Sequence, residues 1–102
     1  MADDIKKEEF KALLDREIND YFLLDVREEL EFHTFNIGGV NIPLGKIQKL
    51  IDEDELDIPD HKTIIVICQR GIRSKTAKTI LLQNGYPNVR NLIGGLQKLQ
   101  RP

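Results

Sequence analysis

The sequence predicts an α/β domain of the doubly wound kind, a parallel sheet flanked by helices on both faces, and three observations predict it. Two apolar runs, Tyr21-Phe-Leu-Leu-Asp-Val26 and Thr63-Ile-Ile-Val-Ile67, are too continuous for strands with one wet face. Segments with helical spacing alternate with these runs along the chain. No repeat, low-complexity tract or Gly/Ser linker divides the 102 residues, so 1–102 reads as one domain. A chain of this length buries roughly two-thirds of its unfolded surface, enough for a single core.

The elements follow in order. Lys7 to Leu14 carries Phe10, Leu13 and Leu14 at helical spacing, with Glu8 and Glu9 early, where the helix dipole favours negative charge. The strand Tyr21–Val26 comes next, then a helical turn over Glu28 to Phe32. Val40-Asn-Ile42 reads as a short strand halted by Pro43, and Leu44 to Ile51 as a second helix. An acidic connection, Asp52 to His61, leads to the strand Thr63–Ile67. Ser74 is a suitable N-cap for a helix running to Asn84, with Ala77, Ile80 and Leu81 on its buried side. Gly85 closes that helix as its C′ glycine, and Pro87 prevents continuation. Asn88 to Leu92 is the last strand, followed by Gly94-Gly95 and a terminal helical turn.

Composition narrows the function. Hydrophobic residues make up 40% of the chain and charged residues 31%, the balance of a soluble globular protein. A net charge of −2 argues against nucleic acid as the partner, since phosphate neutralisation needs clustered cations. The start, Met1-Ala-Asp-Asp-Ile-Lys-Lys7, lacks the apolar run of a signal peptide, and no stretch has the length and apolarity of a membrane span. A cytoplasmic location is the expectation. The single cysteine, Cys68, excludes an internal disulfide, a Cys-x-x-Cys pair and a thiolate-rich zinc site. His33 and His61 lie among polar or loop residues, with no spacing that makes either a metal ligand or a base.

The informative stretch is Ile67-Cys-Gln-Arg-Gly-Ile-Arg-Ser74, between a buried strand and a helix. In open α/β sheets, ligands gather at the carboxyl ends of strands, which is where Asp25 and Cys68 stand. Gly71 can take positive φ, letting the backbone curl so that successive N–H groups face inward as an anion-binding nest. A free thiol with pKa near ~8.5 is only a few per cent ionised at neutral pH and needs assistance. A helix terminus contributes up to ~2 kcal/mol, roughly 1.5 pK units, and Arg70 and Arg73 add to it. Free cysteines are commonly inert core residues. Gln69, Arg70, Gly71 and Arg73 suit a solvated turn instead, and predict an exposed, nucleophilic Cys68.

Four stretches together resemble the single-domain rhodanese family along almost the whole chain. They are Leu23-Leu-Asp-Val-Arg-Glu28 with Glu31-Phe32, Ile37-Gly-Gly-Val-Asn-Ile-Pro-Leu44, the loop Cys68 to Ser74, and Val89-Arg-Asn-Leu-Ile-Gly-Gly95. The resemblance implies a five-stranded parallel sheet and a sulfurtransferase that holds sulfane sulfur on Cys68 as a persulfide, with no other cofactor. It makes Gln69, Arg70, Gly71, Ile72, Arg73 and Ser74 the substrate-binding loop, with Arg70 and Arg73 as donor-binding cations. A small anionic donor such as thiosulfate and a thiol or sulfur-carrier protein acceptor are the implied partners. Asp25 and Arg27 match the family's Asp-x-Arg feature and take supporting roles: Asp25 bonding backbone N–H groups at a strand end, Arg27 pairing with Glu31 four positions on. Asn36 replaces a frequent histidine, and Leu99 a frequent closing tryptophan.

Two other functions compete. A Cys-dependent phosphatase or arsenate reductase resembles Cys-x5-Arg, one backbone unit longer than the Cys-x4-Arg of Cys68 to Arg73, and the tighter ring suits one terminal sulfur. A non-catalytic interaction module would have little use for a cysteine in a cationic loop. Similar domains also end enzymes that adenylate sulfur-carrier proteins, and the Leu92-Ile-Gly-Gly95 ending is compatible with that setting.

Overall fold

The computed structural model describes residues 3–16 and 20–101, so the ends of the expected 1–102 domain lie outside the described residues. The elements are α1 (Lys7–Leu14), β1 (Tyr21–Asp25), α2 (Glu29–Thr34), β2 (Val40–Asn41), α3 (Leu44–Asp52), β3 (Thr63–Ile67), α4 (Ile72–Gln83), β4 (Val89–Asn91) and α5 (Gly95–Leu99). The strands form one sheet in the order β2-β1-β3-β4, every neighbouring pair parallel.

Strand alternation gives that sheet two apolar faces. Leu24, Val26, Ile64 and Val66 pack with Ile47 of α3 and with Ala77 and Leu81 of α4. Leu23, Ile65 and Ile67 pack on the other side with Phe10 of α1 and with Leu96 and Leu99 of α5. This two-sided burial is why β1 and β3 read as continuous apolar runs. No helix among the described residues is long and apolar enough to cross a membrane.

The sheet has four strands among the described residues, not the five implied by the resemblance. Beside β4, Ile5 alone makes a parallel bridge to Leu92. Its N–H donates to the Asn91 carbonyl at 2.9 Å, and its carbonyl accepts from the Ile93 N–H at 3.0 Å. Helix α1 begins two residues later, which leaves the segment no length in which to extend the ladder.

A second correction bears on the site. Helix α4 starts at Ile72 with Gly71 as its N-cap, so Ser74 is not the cap but lies in the first helical turn, fully buried. Gly71 has φ 85°, and the chain reverses there, before Ser74 is reached. A Cβ at Gly71 would stand 3.0 Å from the Gly94 nitrogen and 3.2 Å from the Leu92 carbonyl oxygen, besides adopting a disfavoured backbone conformation.

Candidate active site

The parallel register brings four polar positions to the carboxyl end of the sheet. Asp25 aligns with Asn41 of β2 and with Ile67 of β3, the residue before Cys68, while Asn91 aligns with Val66. The carboxyl ends of all four strands therefore lie at one end of the sheet, the end from which the loop 68–74 leaves β3 and the place the strand-end rule predicts.

Cys68 is only 1% exposed, and the expectation of an exposed thiol is wrong. Its side chain continues the line of β3 into the core shared with Val66, Ala77 and Leu81. The loop nevertheless closes around the sulfur instead of splaying open. The Gly71 and Ser74 amides donate to Sγ at 3.1 and 3.3 Å, and the Ser74 hydroxyl lies 3.2 Å away. Cys68 contributes to the wall of a cavity of about 430 Å³ together with Glu31, Gln69, Arg70, Ile72 and Arg73. The sulfur is recessed, yet Cys68 still borders that cavity.

Burial is the largest single influence on the thiol and pushes its pKa up. Against it act the Ser74 hydroxyl and the amides of Ser74, Arg70 and Gly71, and together they hold Cys68 below the ordinary cysteine value. Hydrogen bonds, rather than the flanking guanidinium charges, are what lower the pKa.

The arginines are placed differently from expectation. Arg27 does not pair with the Glu31 carboxylate; it clasps Asp25, its Nη2 2.8 Å from Oδ2 and its Nε 3.0 Å from Oδ1. The Arg27 backbone N–H also donates to Asp25 Oδ1 at 3.1 Å, the strand-end role expected of that carboxylate. Both residues are buried, and Arg27 reaches on to the Phe35 carbonyl at 2.7 Å, tying α2 to the end of β1. Arg73 is the true partner of Glu31, donating through both Nη atoms at 2.6 and 2.9 Å. That pair holds the Glu31 carboxyl at about 2. Arg73 is therefore neutralised by a carboxylate on the cavity wall. Arg70 is exposed, and its guanidinium has no partner among the described residues.

Two positions in the stretch Val89–Gly95 have a part in the site that the sequence reading does not assign to them. Asn91 is buried at the end of β4; its Oδ1 accepts from the Ser74 hydroxyl at 2.5 Å, and its Nδ2 donates to the Gly71 carbonyl at 3.2 Å. It thus holds the middle and the far end of the loop around the sulfur. A polar side chain at the carboxyl end of a buried strand was the available signal, the same one that singled out Asp25. The other is Gly95, with φ 63°, where a Cβ would stand 2.5 Å from the Cys68 carbonyl oxygen. Its absence lets α5 abut the loop, so that the Leu96 and Gln97 amides donate to the Cys68 and Gln69 carbonyls at 3.0 and 2.9 Å.

A family model described as rhodanese-like domain matches residues 6–101. Adenylyltransferase and sulfurtransferase UBA4 of Lodderomyces elongisporus is 32% identical over 101 residues, covering 92% of this chain and 22% of that protein. Adenylyltransferase and sulfurtransferase MOCS3-2 of Zea mays is 32% identical over 96 residues, covering 87% and 19%. The chain spans about a fifth of the length of these relatives. Among solved structures, SSP1007 from Staphylococcus saprophyticus is similar at 30% identity and a TM-score of 0.78, covering 96% of this chain and 93% of that one. A rhodanese-related protein from Thermoplasma volcanium is similar at 26% identity and 0.77, covering 96% and 90%.

Proposed function

This chain belongs to the rhodanese-like domain family, and from that premise we propose that it is a sulfurtransferase carrying sulfane sulfur on Cys68. The observation that carries the reading is the convergence of the Gly71 amide, the Ser74 amide and the Ser74 hydroxyl on one sulfur atom. Such donors stabilise negative charge on sulfur and are already in place before reaction, so little reorganisation accompanies charge development.

In the first half-reaction the Cys68 thiolate attacks the outer sulfur of a donor. A new S–S bond forms, the donor's own bond to that sulfur breaks, and the leaving group departs with the electron pair: sulfite when the donor is thiosulfate. In the second, an acceptor nucleophile attacks the terminal sulfur of the persulfide, and the bonding pair returns to Cys68 as thiolate. Gln69 to Ser74 form the cradle, Arg70 attracts the anionic donor, and Asp25 and Arg27 hold the end of β1 beneath it. No resident cofactor is required, because the transferred atom is held covalently.

With one cysteine in the sequence, release depends on an outside nucleophile such as cyanide, a thiol or a sulfur-carrier protein. A relative named as a putative sulfur carrier protein, 33% identical to this chain over 95 residues, supports the carrier protein. A retained free thiol fits a reducing compartment, and we place the protein in the cytoplasm.

Exposure to thiosulfate or an organic thiosulfonate should add one sulfur atom to the intact mass of the protein, and Cys68→Ala should abolish the gain. Cyanide should then release thiocyanate, with negligible hydrolysis of an aryl phosphate. No mass gain with either donor would favour an interaction module, and aryl phosphate hydrolysis would favour a phosphatase. One observation already weighs against the phosphatase: Arg73 is bound to Glu31 instead of being free to clamp an oxyanion.

A further inference from the structure

Resting on that reading, we propose that Glu31 sets donor selectivity, steering the site towards organic sulfane donors with at most one negative charge, carrying an apolar substituent, and away from small dianions. Three charged side chains line the cavity over Cys68: Glu31, Arg70 and Arg73. Glu31 and Arg73 cancel through a two-point pair, leaving Arg70 as the uncompensated cation. One cation matches one negative charge. A dianion approaching a thiolate must either break the Glu31–Arg73 pair or lie beside the carboxylate, and each route is unfavourable.

The surroundings suit the substituent. A second cavity of about 460 Å³ shares Glu31 and Gln69 with the first and is lined also by Leu30, Thr34, Phe35, Gln100 and Arg27, whose charge is taken up by Asp25. Leu30 is 79% exposed, Ile72 at the cavity rim 68%, and Phe35 44%, an unusual concentration of solvent-facing apolar side chains beside one recessed sulfur. An alkyl or aryl group joined to the sulfane donor can rest there while its outer sulfur reaches down to Cys68.

The chemistry balances for both organic donor types. An organic thiosulfonate loses its outer sulfur to the Cys68 thiolate and departs as a sulfinate. An organic persulfide loses its outer sulfur likewise and departs as a thiolate. Each is an exchange between sulfur atoms, with no external oxidant or reductant.

The test compares rates of sulfur loading on Cys68, followed by intact mass, with thiosulfate as the dianion and benzenethiosulfonate as the aryl monoanion. Glu31→Gln keeps an acceptor for the Glu28 N–H and for Arg73 while removing the charge. It should raise the thiosulfate rate on the order of tenfold and the benzenethiosulfonate rate by about threefold or less. Leu30→Ser, at a side chain that supports no core, should lower the benzenethiosulfonate-to-thiosulfate rate ratio about fivefold. If wild type loads sulfur but Glu31→Gln changes both rates equally, or Leu30→Ser leaves the ratio unaltered, the selectivity proposal is overturned while the sulfurtransferase stands. If wild type loads from neither donor, both readings fall together.

Discussion

The Ser74 hydroxyl has a single proton, and two acceptors lie within its reach: Asn91 Oδ1 and the Cys68 sulfur. While Cys68 is a thiol, its own proton can go to the Ser74 oxygen and the hydroxyl proton to Asn91. Once Cys68 ionises, the hydroxyl gains by turning to the thiolate. Ser74→Ala removes that donor and should raise the thiol pKa by about one unit or more, since a hydrogen bond to a charged group contributes roughly 1.5–3 kcal/mol. The pH dependence of iodoacetamide alkylation reads this directly, and an unmoved midpoint would show the backbone amides to be sufficient. Arg27 invites a different comparison. Arg27→Ala strands Asp25 as an unpaired buried carboxylate and should cost about 3–5 kcal/mol in urea unfolding. Arg73→Ala breaks a pair that is about one-third exposed and should cost about 1 kcal/mol or less. The sequence revealed the types of these residues but not their pairing. Spacing along a helix favoured Glu31 for Arg27, and only the placement of α2 over the loop shows that Glu31 belongs to Arg73.

Among the elements, α5 does more than close the second core. Its first residue, Gly95, presses against the loop so closely that a side chain has no space. Gly95→Ala should therefore distort the loop and strain the backbone, lowering sulfur loading at least tenfold. Gly85→Ala, also at positive φ but with open space around it, should cost about 1 kcal/mol through backbone conformation while leaving loading within a factor of two. Helix α2 carries a pH-dependent contact. With the Glu31 pKa lowered to about 2 from an ordinary 4.5, chiefly by Arg73, its stabilising effect is complete above the ordinary value and disappears as pH falls towards 2. Wild type should accordingly lose its stability advantage over Glu31→Gln, about 1 kcal/mol after solvent screening, across that acid window in paired urea titrations. Helix and strand positions were legible because apolar spacing reports burial. The start of α4 was not, because Ser is a better cap by type than Gly, and the deciding factor was the reversal of the chain at Gly71.

On the scale of the whole molecule, the sheet separates two cores, and the site lies where the carboxyl end of the sheet meets α2, α4 and α5. Ile5 links the amino-terminal segment to β4 and is fully buried. Ile5→Ala should cost about 2–5 kcal/mol, with calorimetry or urea titration as the measure. A neutral outcome would mean that the segment is dispensable to the core. The parallel α/β architecture could be read from two strands with no polar face, whereas the reduction of a fifth strand to one bridge depends on where α1 begins, a boundary that hydropathy locates poorly. The depth of Cys68 was likewise hidden, since a loop of polar residues describes its own surface and not the side chain it folds over. That depth has a bearing on behaviour in air. Forming a disulfide brings two Cα atoms within about 7 Å of each other, and a pair of sulfurs each sunk beneath its own loop cannot meet in that way. Covalent self-linkage is thereby obstructed by shape alone.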